Sequence, residues 1–255
     1  MKTAFTRTKL LKDVRFHYCP GCGHGVINRL LMEIVEEMDL QEKAICVAPA
    51  GCGMLLYNYF EIDVVESAHG RGAAVATGIK RVLPDRLVFS YQGDGDLAAI
   101  GTAEGIHAAN RGENITVIFV NNGVYGMTGG QMAPTTLLNQ VTTTTPSGRD
   151  YLVAGHPVRV CEVFSMLDGT AYLERVAVNK PAAVRKAKKA IAKAFQRQLD
   201  CAGFSLVEIL APCPTNWKLG TIEACTWIDE VMVKQFPLGV VKDVSRTGPE
   251  EAACK

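Results

Sequence analysis

LVFSYQGDGDLAAIG (residues 87–101) and ITVIFVNNGVYGM (residues 115–127) share one pattern: a largely apolar run that ends in a glycine-rich polar turn. Leu87–Tyr91 and Ile115–Val120 show no polar face, as expected of strands covered on both sides. Leu97–Asn110, between them, reads as a helix. Strand, helix, strand predicts parallel neighbours. The turns that follow the two strands then share the carboxyl edge of the sheet, where open parallel sheets bind ligands. Asp94 and Asn122, 28 positions apart, would stand side by side there.

The same alternation continues in both directions. Val26, Ile27, Leu30, Leu31, Ile34, Val35 and Met38 recur at helical spacing and predict a helix over Gly25–Met38. Ala44–Ala50 reads as a buried strand and Ser67–Leu83 as a tightly packed helix stopped before Pro84. A weaker strand near Ala171–Val178, a helix from Pro181 to about Leu199 and a strand over Phe204–Leu210 follow. The class is α/β, a mostly parallel sheet with helices on both faces. With 255 residues and 48% hydrophobic content, one domain over 1–255 is the simplest reading. It carries a cysteine segment at about 16–24 and a C-terminal arm at about 235–255 that needs something to lie against.

Net charge is +1, which argues against a dedicated nucleic-acid binder. The basic start lacks the apolar region of a secretory signal, and the longest uncharged stretch, Ile115–Gly148, is too polar for a membrane span. A cytoplasmic protein is expected, with no membrane partner. Nine cysteines, an odd number, are then expected as reduced thiols or metal ligands rather than disulfides.

A carboxylate from Asp94, an amide oxygen from Asn122 and a backbone carbonyl from the following turn are hard ligands suited to magnesium. Gly93 and Gly95 would let backbone N–H groups approach a diphosphate at the start of the next helix. The bland alternative is a pair of ordinary turns, for which Gly-Asp-Gly and Asn-Asn-Gly are good sequences. Neither the dinucleotide fingerprint after a first strand nor the P-loop motif occurs, so those cofactor readings lose. GDGDLAAIG followed by VNNGVYGM resembles the thiamine diphosphate motif of thiamin-dependent enzymes.

The resemblance extends further. CPGCGHG (19–25), APAGCG (48–53), AHGRGAAVATGIK (68–80), YQGDGDLAAIGTAE (91–104), NNGVYGMTGGQMAPTT (121–136) and LAPCPT (210–215) follow in order. Together they resemble the beta subunit of 2-oxoacid:ferredoxin oxidoreductases, closest in texture to the 2-oxoglutarate and branched-chain types. The resemblance implies the thiamine diphosphate-binding fold and magnesium on Asp94, Asn122 and the Val124 carbonyl. It implies a cofactor surrounded by Ala50, Gly51, Cys52, Gly53, His69, Gly93, Gly95, Asp96, Gly126 and Met127. His69 alone reads more often as a structural histidine.

Cys19-x-x-Cys22 by itself fits a redox disulfide, half a zinc site or half a cluster site. Cys52 and Cys213 sit in turns after strands expected at the same sheet edge. A 4Fe–4S cluster on Cys19, Cys22, Cys52 and Cys213 is what the family resemblance implies. Cys46 reads as core, and Cys161, Cys201, Cys225 and Cys254 as free thiols. Arg185, Lys186, Lys188, Lys189, Lys193 and Arg197 line one helix, where a solvated face is the simpler reading and a dock for acidic ferredoxin the sharper one. Trp217, Trp227, Tyr57, Tyr59 and Phe60 are expected in the core or a subunit contact.

The implied activity is coenzyme A-dependent oxidative decarboxylation of a 2-oxoacid, with electrons leaving through the cluster to ferredoxin. The activating glutamate of thiamin enzymes has no candidate here, so an alpha subunit is expected to supply it, with small ferredoxin-like subunits as further partners. The Asn121–Thr136 loop carries no Lys or Arg, so it offers no partner for a second substrate carboxylate. Two rivals stand: the diphosphate-binding half of a non-redox thiamin decarboxylase or synthase, and a non-catalytic four-cysteine metal-binding or electron-transfer module.

Overall fold

The computed structural model describes residues 6–244. In chain order the elements that build the sheet's first half are α1 (His24–Glu37), β1 (Ala44–Pro49), β2 (Asp63–Ser67), α2 (Gly72–Val82), β3 (Leu87–Gly93), α3 (Thr102–Asn110) and β4 (Thr116–Asn121). A two-residue hairpin pair, β5 (Val124–Tyr125) and β6 (Gln131–Met132), follows. Then come α4 (Tyr151–Ala154), α5 (Val160–Ser165), β7 (Thr170–Ala177), α6 (Pro181–Leu199) and β8 (Phe204–Leu210). The described chain ends with α7 (Pro214–Trp217), α8 (Thr221–Trp227), α9 (Val233–Gln235) and β9 (Gly239–Asp243).

The main sheet runs β2-β1-β3-β4-β8-β7-β9, parallel throughout except for the last strand. Its pleat divides the core in two. Leu87, Phe89 and Tyr91 of β3 and Ile118 and Val120 of β4 face one side, against Ile27 and Leu31 of α1 and Ile191 and Phe195 of α6. Val88, Val117 and Phe119 face the other, against Ala73 and Ala76 of α2, Ala108 of α3 and Phe164 of α5. Burial on both faces is why these strands read as continuous apolar runs.

Three expectations needed correction. The segment from Ser67 is not helical at its start: Ser67 closes β2, and the helix begins at Gly72. β2 is an edge strand with most of its side chains in water, so it lacks the apolar run that reveals a buried strand. The helix expected from Leu97 opens as a π-helical turn over Asp96–Ile100 and becomes α-helical at Thr102. The C-terminal arm, as far as Asp243, lies against the chain's own sheet: β9 adds antiparallel to β7, and Arg175 Nη1 donates to the Pro237 carbonyl at 3.1 Å. The rest of that arm lies outside the described residues.

Tyr59 and Phe60 are core, whereas Tyr57 is exposed. Trp217 and Trp227 pack on each other, centroids 4.4 Å apart, beside a small cluster around Leu210, Ile228 and Met232. Among the described residues no helix is long and apolar enough to cross a membrane.

Candidate active site

Because β3 and β4 pair in parallel with Gly93 opposite Val120, Asp94 and Asn122 leave the sheet at its carboxyl edge on adjacent strands. β1 delivers the Ala50–Gly53 turn to the same edge, and β8 delivers Cys213. Between these turns lies a cavity of about 230 Å³. It is lined by Ala50, Gly51, Cys52, Gly53, His69, Gly93, Asp94, Gly95, Asp96, Asn122, Val124, Gly126 and Met127. Every residue expected around the diphosphate cofactor and magnesium therefore faces one hollow. His24, Tyr91, Ile100, Tyr125 and Thr128 line it as well, without having been singled out.

Asp94 is 4% exposed, and its recorded contacts are neutral donors: Thr135 Oγ1 at 3.0 Å and the Gly95 N–H at 3.1 Å. Burial pushes its carboxyl up to about 7 despite those hydrogen bonds. Asn122 Oδ1 accepts the Val124 N–H at 3.2 Å, and the Asn122 carbonyl accepts Trp217 Nε1 at 2.9 Å. A desolvated carboxylate beside an amide oxygen and a turn carbonyl is a donor set short of positive charge, which fits a hard divalent cation.

Asp96 is a hub instead. Its Oδ1 accepts His69 Nδ1 at 2.7 Å and the Gly70 N–H at 2.5 Å, and its Oδ2 accepts Gln92 Nε2. The π-helical turn creates this arrangement by shifting the chain one residue before α3. Gly101 permits the turn, since a Cβ there would lie 2.6 Å from the Gly70 carbonyl oxygen. His69 and Asp96 thus line the cavity with His69 Nδ1 already engaged by the Asp96 carboxylate.

At the cavity's other end, His24 Nδ1 and the Tyr91 hydroxyl are 2.6 Å apart, both buried. Burial, with the nearby His17, pushes His24 down to about 4, so its ring is neutral at physiological pH. His24 stands two positions after Cys22; the glycine-rich CPGCGHG context was its only signal. Thr135 lies in the quoted 121–136 segment without having been singled out, and tertiary structure brings it to Asp94 across 41 positions.

The cysteine segment meets the same edge through a Gly23 N–H to Pro212 carbonyl bond of 3.1 Å. Burial raises the Cys22 thiol to about 12 and the Cys52 thiol to about 11, each helped by the neighbouring cysteines, and burial raises Cys213 too. Asn216 Nδ2 bridges the Cys213 sulfur at 3.3 Å and the Gly126 carbonyl at 3.0 Å. Among the described residues, no three His, Cys, Asp or Glu side chains converge tightly enough to hold a metal ion as they stand. The chemistry of these cysteines fits a soft metal or cluster because thiolate sulfur is a soft ligand, and binding would have to displace the protons that burial holds on these thiols. Cys46, Cys161 and Cys225 are free, as expected. Cys201 is disulfide-bonded, against the free-thiol expectation, and Cys254 lies outside the described residues.

Half of the six basic residues on the helix face are answered within the chain. Lys188 pairs with Glu33 and Glu37, and Lys193 and Arg197 pair with Asp243.

Residues 54–209 match the family of thiamine pyrophosphate enzymes through its C-terminal TPP binding domain. The chain is 48% identical over 229 residues to ketoisovalerate oxidoreductase subunit VorA of Methanothermobacter thermautotrophicus, an alignment that takes in 90% of this chain and 48% of that protein. It thus spans about half the length of the curated relatives that it first matches. It is 37% identical over 202 residues to 2-oxoglutarate synthase subunit KorB of Methanocaldococcus jannaschii, covering 78% of this chain and 70% of that one. Among solved structures, 2-oxoglutarate:ferredoxin oxidoreductase from Magnetococcus marinus superposes with a TM-score of 0.80 at 25% identity, over 95% of this chain and 86% of that chain. Carrying the thiamine pyrophosphate-binding domain and these relatives along most of its length, the chain belongs to the 2-oxoacid:ferredoxin oxidoreductase family.

Proposed function

We propose that this chain is the thiamine diphosphate-binding beta subunit of a 2-oxoacid:ferredoxin oxidoreductase. With its partners it converts a 2-oxoacid and coenzyme A to acyl-CoA, CO₂, a proton and two electrons, the electrons passing to ferredoxin. The observation that carries this reading is the single cavity lined by every residue expected around the cofactor and its magnesium. Asp94, Asn122 and the Val124 carbonyl would hold the magnesium. Gly93 and Gly95 would let backbone N–H groups approach the diphosphate, and Cys52 and Met127, which line the same cavity, would contact the cofactor. Cys19, Cys22, Cys52 and Cys213 would hold a 4Fe–4S cluster. When bound, these groups supply a carbanion and electron sink for decarboxylation, charge neutralisation of the diphosphate, and one-electron acceptance. The chain's own part is orientation: Asp96 fixes His69 and the Gly70 amide, Thr135 orients the Asp94 carboxylate, and apolar Ile100 and Met127 at the mouth exclude water once a partner covers them. The activating glutamate would come from an alpha subunit, with small ferredoxin-like subunits completing the path.

A branched-chain 2-oxoacid is the better substrate. Among the described residues lining the cavity there is no Lys or Arg to meet a second carboxylate, and the relative at 48% identity is named for ketoisovalerate. A 2-oxoglutarate enzyme would need that cation from a partner subunit.

The test is an anaerobic visible spectrum of the complex purified with its natural partner. It is recorded before and after adding coenzyme A and, in turn, 2-oxoisovalerate, 2-oxoglutarate and pyruvate. Broad iron–sulfur absorption that bleaches with 2-oxoisovalerate is expected. Bleaching with 2-oxoglutarate alone would reverse the substrate assignment. A colourless complex that retains thiamin diphosphate would make the non-redox thiamin enzyme the correct reading.

A further inference from the structure

The threonine-rich stretch 141–150 has no place in the proposed chemistry, yet it is tightly ordered. Thr142 and Thr145 hydroxyls lie 2.6 Å apart, and Thr144 Oγ1 accepts the Met132 N–H at 2.9 Å. At its end stands Arg149, 4% exposed, whose recorded partners are all backbone carbonyls. Nη1 donates to Ala133, Pro134 and Thr136 at 3.3, 2.9 and 2.7 Å. Nη2 donates to Ala154 and His156 at 2.9 and 3.0 Å, and Nε donates to Gly155 at 3.0 Å. A guanidinium used this way is a clamp between two backbone segments, and its rigid planar fork is what a lysine cannot reproduce.

The clamped turn carries the two threonines that face the site. Thr135 Oγ1 donates to Asp94 Oδ2 at 3.0 Å. Thr136 Oγ1 donates at 2.6 Å to the carbonyl of Gly123, the residue after Asn122. Both strand-end turns of the site are therefore held by successive residues of one short segment.

We propose that Arg149 is a positioning residue for the Asp94–Asn122 site, acting through the 133–136 turn that sets Thr135 on Asp94 and Thr136 on Gly123. The inference rests on reading Asp94 and Asn122 as cation ligands.

The test uses the full chain in complex with its natural partner, stripped of cofactor and resupplied with saturating thiamine diphosphate. Mn²⁺ is titrated in, and its free concentration is read by electron paramagnetic resonance. Arg149→Lys, Arg149→Gln and Thr135→Val should each weaken Mn²⁺ binding about tenfold, the low end of what outer partners of a metal site are worth. If Arg149 acts through Thr135, the Arg149→Lys/Thr135→Val double variant should lose no more than about twofold beyond the larger single loss. Phe195→Leu, in the core far along the chain, should lower the melting temperature without moving the Mn²⁺ affinity. Wild-type affinity in the Arg149 variants, or losses that multiply in the double, would overturn the proposal. If Arg149→Gln fails to fold, Thr135→Val decides, since it removes only a hydroxyl; unchanged affinity there overturns it too. Wild-type complex that binds no Mn²⁺ even with thiamine diphosphate would overturn the cation-site reading itself, which keeps the two failures apart.

Discussion

Glu208, in the middle of β8, accepts Arg175 Nε at 2.8 Å and Asn121 Nδ2 at 2.8 Å, and both members of that ion pair are essentially inaccessible. Arg175 is completed by Glu162 on α5 and by the Pro237 carbonyl. Asp94, two strands away and nearly as buried, has a hydroxyl and amide N–H groups for company. One buried acid is neutralised by the fold; the other is held in place and left acidic in name only, its carboxyl pushed up to about 7. A buried charge is tolerated when it is paired, or when something outside the chain pairs with it. The contrast is the one expected if Glu208 serves the scaffold and Asp94, as proposed, serves a bound cation.

The strongest way to break that contrast is to neutralise each acid in turn. Asp94→Asn keeps shape and removes the charge. Cation and thiamine diphosphate retention should fall more than about a hundredfold, beyond the range typical of outer partners of a metal site, with activity lost alongside. Cofactor content of the purified complex checks it. Folding stability should hold or rise, because the variant removes a desolvated carboxylate that has no cationic partner among the described residues. A marked loss of stability would mean that Asp94 is scaffold after all.

Glu208→Gln should do the reverse. Leaving the Arg175 charge short of a partner should cost about 3–5 kcal/mol in denaturant unfolding. Glu162 remains to share that charge, so the lower end is expected. Cofactor affinity should change far less than in Asp94→Asn. Since Asn121 is tied to Glu208 and neighbours Asn122, some loosening of the cation site is still expected, smaller than any loss in stability.

These two acids also show what a sequence discloses. The glycines, Asp94 and Asn122 cluster locally after apolar strands, so a short window carries both the fold signal and the site. The buried two-faced strands were legible for the same reason. Thr135, Arg149 and the Arg175–Glu208 pair are not local: they meet across 33 to 41 positions or through backbone carbonyls, and no periodicity marks them. β2 was missed because an edge strand in water has no apolar run. The π-helical turn at Asp96 was missed because one extra residue barely alters helical spacing. The arm was misjudged because β9, half-exposed at the sheet edge, looks like a tail until β7 is seen beside it.

Acid sharpens the comparison at intermediate size. Burial alone would raise the Glu162 pKa, but hydrogen bonds and charge from Arg175 more than reverse it, leaving it below its ordinary 4.5. A carboxyl more acidic in the fold than in the open chain contributes stability that is fully present above about pH 4.5. That contribution is lost as the pH falls through the lower folded value. Glu162→Gln should therefore be less stable than the parent at pH of about 6, and the gap should close as acid protonates Glu162. Urea unfolding at several pH values measures it. A gap that stays constant would show that Glu162 contributes by shape rather than charge.

The smallest effect should come from an ion pair of equally good geometry in water. Lys180 Nζ reaches both oxygens of Asp229 at 2.7 and 2.8 Å, closer than or equal to the Arg175–Glu208 contact, but its side chain is 53% exposed and its partner's 39%. Solvent screens the attraction and ordering the lysine offsets most of what remains, so Lys180→Met should shift stability by less than about 1 kcal/mol. Added salt should shrink even that difference, while the Glu208→Gln penalty should barely respond, because a dry pair is poorly screened. Distances alone rank the two pairs the wrong way round. If Lys180→Met cost as much as Glu208→Gln, burial would not be what separates scaffold charges from surface ones here, and the case for Asp94 as an acid awaiting a cation would lose its reference point.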